Sequence, residues 1–218
     1  MSFQIPFFPL PDAVLFPRTV LSLHIFEPRY RAMMDYVMAQ DQKVFALAHL
    51  RDGYEELYFG APPVFKVMTP ARLLFADKLK DGRWNILIEG IARAQLLEEV
   101  QTEPFRMGRF DIIPDEIDPA RRPETEALMF KLSEFAERAA EVVATEKRTL
   151  RNLVNTHQHP SIVCDVVASQ LVADAYARQC ILEERDVIRR LRLTSIQVQH
   201  LLNEHEAKES GTDVTSKD

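Results

Sequence analysis

The spacing of apolar residues changes near residue 120. Before that point they come in short runs broken by proline, glycine and aspartate, which is the pattern of strands and turns. Runs over 13–16, 20–25, 44–50, 64–76, 84–100 and 105–113 predict strands. Asp52-Gly53 and Asp81-Gly82 predict tight turns, because glycine adopts a positive φ without steric cost. The run from Trp84 is too long for one flat strand, and Gly90 inside it predicts a bulge or bend. A long, strongly bent strand points to a closed or half-closed barrel.

One helix interrupts these strands, over 28–40. Proline in its first turn costs little, since that position has no intrahelical N–H partner. Tyr30, Met33, Met34, Val37 and Met38 follow at i, i+3, i+4, i+7 and i+8, so they form one apolar stripe that predicts packing on the barrel. After Pro123 and as far as Lys208 there is a single further proline and no glycine, and the period becomes helical. Leu128, Leu132, Phe135, Ala139 and Val142 form a bundle-facing seam. Pro160 predicts the first turn of a helix reaching Leu171, and Asp186 predicts the N-cap of a last helix carrying Leu191, Val198, Leu201 and Leu202. Together these patterns predict a β domain over 1–119, a helical bundle over 120–208 and a disordered tail over 209–218, which is too polar to pack.

Composition narrows the function classes. The chain has 218 residues, of which 46% are hydrophobic, enough for a sizeable core without staples. Its two cysteines, Cys164 and Cys180, lie in apolar-patterned sequence and are read as small core residues, which fits a reducing cytoplasm. No basic leader precedes the first apolar residues, and no apolar run approaches the ~20 residues that span a bilayer, so no membrane partner is expected. Net charge is −6, with 13 Lys/Arg against 17 Asp/Glu over 1–119 and 13 against 13 over 120–208. Neither part is a basic surface able to neutralise many phosphates, so no nucleic acid is expected as a partner.

Catalytic signatures are missing. No Gly-Lys pair occurs, so no phosphate-cradling loop can form, and the six scattered glycines make no dinucleotide fingerprint. No nucleophile elbow is present. His157 and His159 are spaced as two metal ligands would be, but the next donors, Cys164 and Asp165, follow on an apolar helix, which favours a loop or helix-end role and no metal. His205-Glu206 begins a zinc-protease motif that position 209, a glutamate, does not complete. What remains is the strand-to-helix junction Leu23-His24-Ile25-Phe26-Glu27-Pro28-Arg29-Tyr30-Arg31, where polar and aromatic residues crowd together. Glu27 stands where a helix dipole favours a carboxylate, and Arg29 or Arg31 is placed to pair with it. Met33 and Met34 behind it are soft side chains suited either to core or to an adaptable peptide groove.

Several stretches carry a resemblance. The segment from Phe7 through Pro9-Leu10-Pro11-Asp12 to Phe16-Pro17, continued by Leu21-Ser22-Leu23-His24-Ile25-Phe26-Glu27-Pro28-Arg29-Tyr30, resembles the opening of the Lon protease N-terminal, substrate-binding domain, and most closely its small free-standing bacterial versions. It continues through Asp81-Gly82-Arg83, Leu87 to Arg93, Pro160 to Leu171 and Glu183 to Leu193. Arg18 and Ser22 stand where that family usually has glycine and proline, and His159 where an aspartate commonly precedes the proline. The resemblance implies an α+β fold, a PUA-like β pseudo-barrel with one inserted helix followed by a C-terminal helical bundle. It implies a module that engages unfolded or exposed protein segments without cofactor, ATPase or serine-lysine peptidase of its own, as an adaptor or holdase-like factor. The expected contact residues are His24, Phe26, Glu27, Arg29, Tyr30, Met33, Met34 and Arg93. Two other readings are an RNA-binding PUA-like protein, against which the acidity argues, and a small-molecule enzyme using His24, Glu27 and Arg93 in a cleft between barrel and bundle.

Overall fold

The computed structural model describes residues 2–58, 60–142 and 159–212, the last four by their backbone alone. Contacts divide the chain into two compact units, Met1–Pro114 and Asp115–Asp218.

The first unit contains β1 (Phe3–Leu10), β2 (Val20–Ile25), α1 (Pro28–Met38), β3 (Val44–His49), β4 (Val67–Lys78), β5 (Trp84–Gly90), β6 (Ala94–Gln101) and β7 (Met107–Ile112). The strand order is β2-β5-β4-β3-β1-β7-β6, and β6 returns to pair with β4. Five strands therefore close a ring, from which β5 and β2 extend as a two-strand wing. Only the pairing of β1 with β3 is parallel. The α+β class and the pseudo-barrel with one inserted helix are as the sequence predicts.

β1 was not predicted as a strand, and the segment 13–16 that was predicted forms none. Pro6 and Pro9 disguise β1. The strand tolerates them because residues 3–6 pair with β7 and residues 7–10 with β3, so each half is laddered on one side, as an edge strand is. The long run from Trp84 does break at Gly90, into β5 and β6. An added Cβ at Gly90 would press on the Phe16 carbonyl and Thr69, which is why no side chain is accommodated there.

Gly90 is also one partner in a bulge that starts β2. Arg18 N donates to Gly90 O (2.9 Å), and Gly90 N donates to Thr19 O (3.0 Å). Arg18 has φ 63°. This is the bulge whose first residue is left-handed and ordinarily glycine, with Pro17 entering the turn before it. Here an arginine carries the positive φ.

One core cluster joins α1 (Tyr30, Met33, Met34, Val37) to Phe8, Ile25, Phe45, Leu47, Trp84, Ile86 and Ile88. A second, built on Phe7, Met68, Leu96 and Phe110, fills the rest of the unit. The apolar stripe of α1 is thus the face that packs on the sheet.

The second unit holds α2 (Arg122–Val142), α3 (Pro160–Leu171), α4 (Ala175–Glu183) and α5 (Val187–Thr212). Asp174 caps α4 by accepting from Ala177 N (2.6 Å), and Asp186 caps α5 by accepting from Ile188 N (2.8 Å). Arg190 is buried at the centre of this unit. It donates to Asp115 Oδ1 (2.5 Å), Ser161 Oγ (2.9 Å) and Glu184 O (2.9 Å), and Asp165 lies 3.6 Å away. Burial works to strip its proton, but the charges of Asp165 and Asp115 more than offset that and hold its pKa above the ordinary value. Ser161 in turn donates to Asp115.

Two expectations are corrected here, the start of the disordered tail and the burial of Cys180. α5 continues to Thr212, into the segment expected to be disordered, because extending an existing helix through polar residues costs little once its nucleus is packed. Residues 213–218 lie outside those described. Cys164 is buried against Thr194 as expected, but Cys180 is exposed, since α4 turns it away from the face carrying Ile181 and Leu182. His157 lies outside the described residues, and His159 is the N-cap position of α3 without a side-chain cap bond. Among the described residues no cluster of three metal-ligating side chains occurs, and no helix is long and apolar enough to cross a membrane.

Candidate functional site

The junction after β2 is built around Glu27. The residue is extended (φ −65°, ψ 138°) at the N-cap of α1, yet its side chain caps no backbone N–H. Its carboxylate is used elsewhere. Tyr58 Oη donates to Oε1 (2.9 Å), and Arg29 donates to Oε2 through Nε (3.0 Å), with Nη2 in ion-pair contact 3.0 Å from the same oxygen. Arg29 Nη1 also donates to the Tyr58 carbonyl (2.8 Å), and its guanidinium lies over the rings of Tyr30 (4.6 Å) and Tyr58 (5.1 Å). The cluster ties the first turn of α1 to the connection between β3 and β4. Spacing carried no sign of Tyr58, which is 31 residues from Glu27.

Tyr30 points inward, against Phe8 at 4.2 Å between ring centroids. Burial pushes its phenol well above the ordinary tyrosine value, with Arg29 opposing and Glu27 assisting. Burial and the bond to Glu27 raise Tyr58 in the same direction. A group whose pKa is raised by folding contributes stability that is present below its unfolded value and is lost as pH climbs toward the folded one. The unit is therefore expected to weaken above about pH 10, the unfolded tyrosine value. Tyr30→Phe should flatten that loss, which denaturant midpoints at neutral and alkaline pH will read.

Beside this cluster lies a cavity of about 380 Å³ lined by Arg29, Tyr30, Gly60, Ala61, Thr102, Glu103, Pro104, Phe105 and Arg106. Its polar groups are largely committed. Arg106 forks onto Glu99 (2.7 and 2.8 Å), donates to Pro62 O (2.7 Å) and lies over Phe7. Among the described residues no convergent, unoccupied pair of acid and base lines it.

His24 and Phe26 face solvent on the other side of the junction. His24 Nδ1 is bonded to Asn85 Oδ1 (2.7 Å), and its ring stacks beside Phe26 at 6.3 Å, with Arg83 Nη1 3.4 Å from Nε2. Phe26 is 60% exposed. Met33, Met34 and Arg93 do not join them. The methionines are wholly inside the core beneath α1, Arg93 is 3% exposed in the turn between β5 and β6, and Tyr30 is as buried as Arg93, so as surface contacts these four are corrected. The eight expected residues thus divide into an exposed pair, His24 and Phe26, a half-buried bracket, Glu27 and Arg29, and four buried positions.

The wing supplies exposed apolar residues that the sequence reading missed. Cross-strand registers place Val20 beside Glu89 and Arg72, Ser22 beside Leu87 and Phe75, and His24 beside Asn85 and Asp77. A register shift between Leu73 and Phe75 turns Phe75 outward, so that it is 58% exposed, like Val20 at 57%. Leu74 within the shift is exposed too. Consecutive Leu73-Leu74-Phe75 in a strand was the available signal, since strict alternation cannot bury all three. Arg72 pairs with Glu89 (2.5 Å) at one end of this strip.

Comparison with known proteins bears on this arrangement. A family model described as the ATP-dependent protease La (LON) substrate-binding domain matches residues 4–200. The Lon protease of Desulfosudis oleivorans is 27% identical over 198 residues, which are 91% of this chain and 24% of that protein. The Lon protease of Desulfatibacillum aliphaticivorans is 29% identical over 187 residues, 86% of this chain and 22% of that protein. The chain thus spans about a quarter of the length of these curated relatives. In structure it is similar to the N-terminal domain of the Mycobacterium avium complex Lon protease, with a TM-score of 0.69 at 18% identity, covering 90% of this chain and 98% of that one. A Lon N-terminal domain protein from Xanthomonas campestris gives a TM-score of 0.60 at 21% identity, covering 87% and 95%. With the family match running through both units, this chain belongs to the Lon substrate-binding domain family.

Proposed function

We propose that this chain binds unfolded or exposed polypeptide segments, without ATP, as an adaptor or holdase-like factor in the cytoplasm. The observation that carries the reading is the strip of exposed apolar side chains on the outer face of the wing, Val20 and Phe75 above all, with Phe26 beside it. Scattered exposed apolar residues are ordinary, but a strip held on paired strands and rimmed by Arg72, Glu89 and Asp77 has the form of a protein-contact surface. Membership of a substrate-binding family supports the same reading. The bracket Glu27–Arg29–Tyr58 then serves to hold Phe26 and the end of β2 in place.

The test is dilution of a chemically denatured protein into buffer containing this chain and no nucleotide, followed by light scattering. Scattering is expected to fall with micromolar chain, and a Val20→Ser, Phe75→Ser double variant to lose most of the effect while keeping its melting temperature. Unchanged scattering, together with no binding of fluorescent denatured polypeptide, would remove the proposal.

A further inference from the structure

We infer that the outer edge of β2 is a β-augmentation site, where an extended polypeptide segment adds to the wing as a further strand. The inference rests on the polypeptide-binding reading above and specifies its geometry. The bulge at Arg18 sets the phase of the ladder: because Gly90 N bonds Thr19 O, the β2 residues that bond β5 are Leu21, Leu23 and Ile25. The N–H and C=O groups of Val20, Ser22 and His24 then point away from β5, along the open edge. No strand or described residue takes them up.

The contrast with β6 gives this edge its meaning. β6 meets β4 at Ala94 and Gln95, and Leu96 N donates to the Lys66 carbonyl just before β4 (2.7 Å), so the length beyond Leu96 is open on that side as well. That length carries Glu98 and Glu99 and two register shifts, the devices by which proteins keep foreign strands off an edge. β2 has none of them. Val20-Leu21-Ser22-Leu23-His24-Ile25 contains no charge at neutral histidine, no proline and no internal shift. One open edge of the unit is guarded and the other is left available.

Side chains state what the occupant is. Leu21 and Leu23 are half-buried, packed against the core cluster from the rim. An incoming strand with apolar residues at alternate positions would lay them beside Leu21 and Leu23 and extend that core, while its other residues fall beside Val20 and His24. Main-chain bonding supplies affinity and the alternate positions supply preference. The occupant is therefore an extended, proline-free segment with every second residue apolar, the pattern of a strand from an unfolded protein.

The full chain is titrated with a carboxymethylated unfolded protein and with a soluble peptide of alternating valine and threonine, while amide exchange is followed by NMR. Protection is expected at Val20, Ser22 and His24, with Leu21, Leu23 and Ile25 unchanged. Ser22→Pro removes one outward donor and should weaken binding at least tenfold. Where that variant fails to fold, the peptide N-methylated at alternate residues should lose binding to the unaltered chain by the same factor. Binding without protection at those three amides, or undiminished by N-methylation, overturns the edge site and leaves polypeptide binding standing. No binding of either probe overturns both. Protection that grows with chain concentration in the absence of probe assigns the edge to a second copy of this chain and also overturns the inference.

Discussion

Arg190→Ala is expected to destabilise the helical unit by about 3–5 kcal/mol, a large share of the roughly 5–15 kcal/mol that holds an ordinary domain folded. The side chain is wholly buried and joins Asp115, at the start of the unit, to Ser161 on α3 and the Glu184 carbonyl before α5. Removing the guanidinium takes from Asp165, only 2% exposed, the cation that lies 3.6 Å from its Oδ1. The penalty arises from the loss of that compensation for a buried carboxylate more than from the pair itself. Two further variants separate the two causes. Arg190→Met alone should remain strongly destabilised, whereas Arg190→Met with Asp165→Leu should recover much of the loss, because apolar residues of similar volume can replace a buried ion pair at little cost. Urea unfolding monitored by circular dichroism reads all three. Equal destabilisation of the single and double variants would show that packing volume, not charge, dominates.

Met34→Ala is expected to cost about 2–5 kcal/mol, the range for emptying a filled core position. Met34 has no exposed surface and lies in the cluster that joins α1 to the sheet, with Met33 and Val37 beside it. The same substitution discriminates between two roles for the methionines of α1. A residue lining a peptide groove would lower affinity and leave stability unchanged, whereas a core residue lowers the unfolding midpoint and leaves affinity unchanged at temperatures where the variant is folded. The second outcome is expected, from paired urea titration and polypeptide-binding measurements.

Periodicity carried the helices and most strands because those signals are local. The stripe Tyr30, Met33, Met34 and Val37 located a buried face without showing that it was buried completely. Gly90 was legible as a break because nothing larger fits beside the Phe16 carbonyl. β1 was not legible, since Pro6 and Pro9 argue against a strand unless it is known that each half has a neighbour on one side only. The site was legible in proportion to its locality. His24 and Phe26 stand out as polar and aromatic residues at a junction. Tyr58 and the Phe75 strip depend on a connection folding back and on one register shift, neither of which leaves a periodic trace. Arg93 looked available because arginine usually is, and burial in the turn after β5 is a tertiary fact.

The position of β1 has a consequence in time. Among the strands of this unit it is the first to be synthesised, yet its two neighbours are β3 and β7, the latter ending at Ile112. The ring cannot close until more than a hundred residues have left the ribosome, and closure then depends on contacts between the two ends of that stretch, which makes folding slow. During that interval the nascent chain exposes apolar strand segments of its own, of which β1 is set apart by Pro6 and Pro9 from the proline-free segment that its wing is proposed to hold.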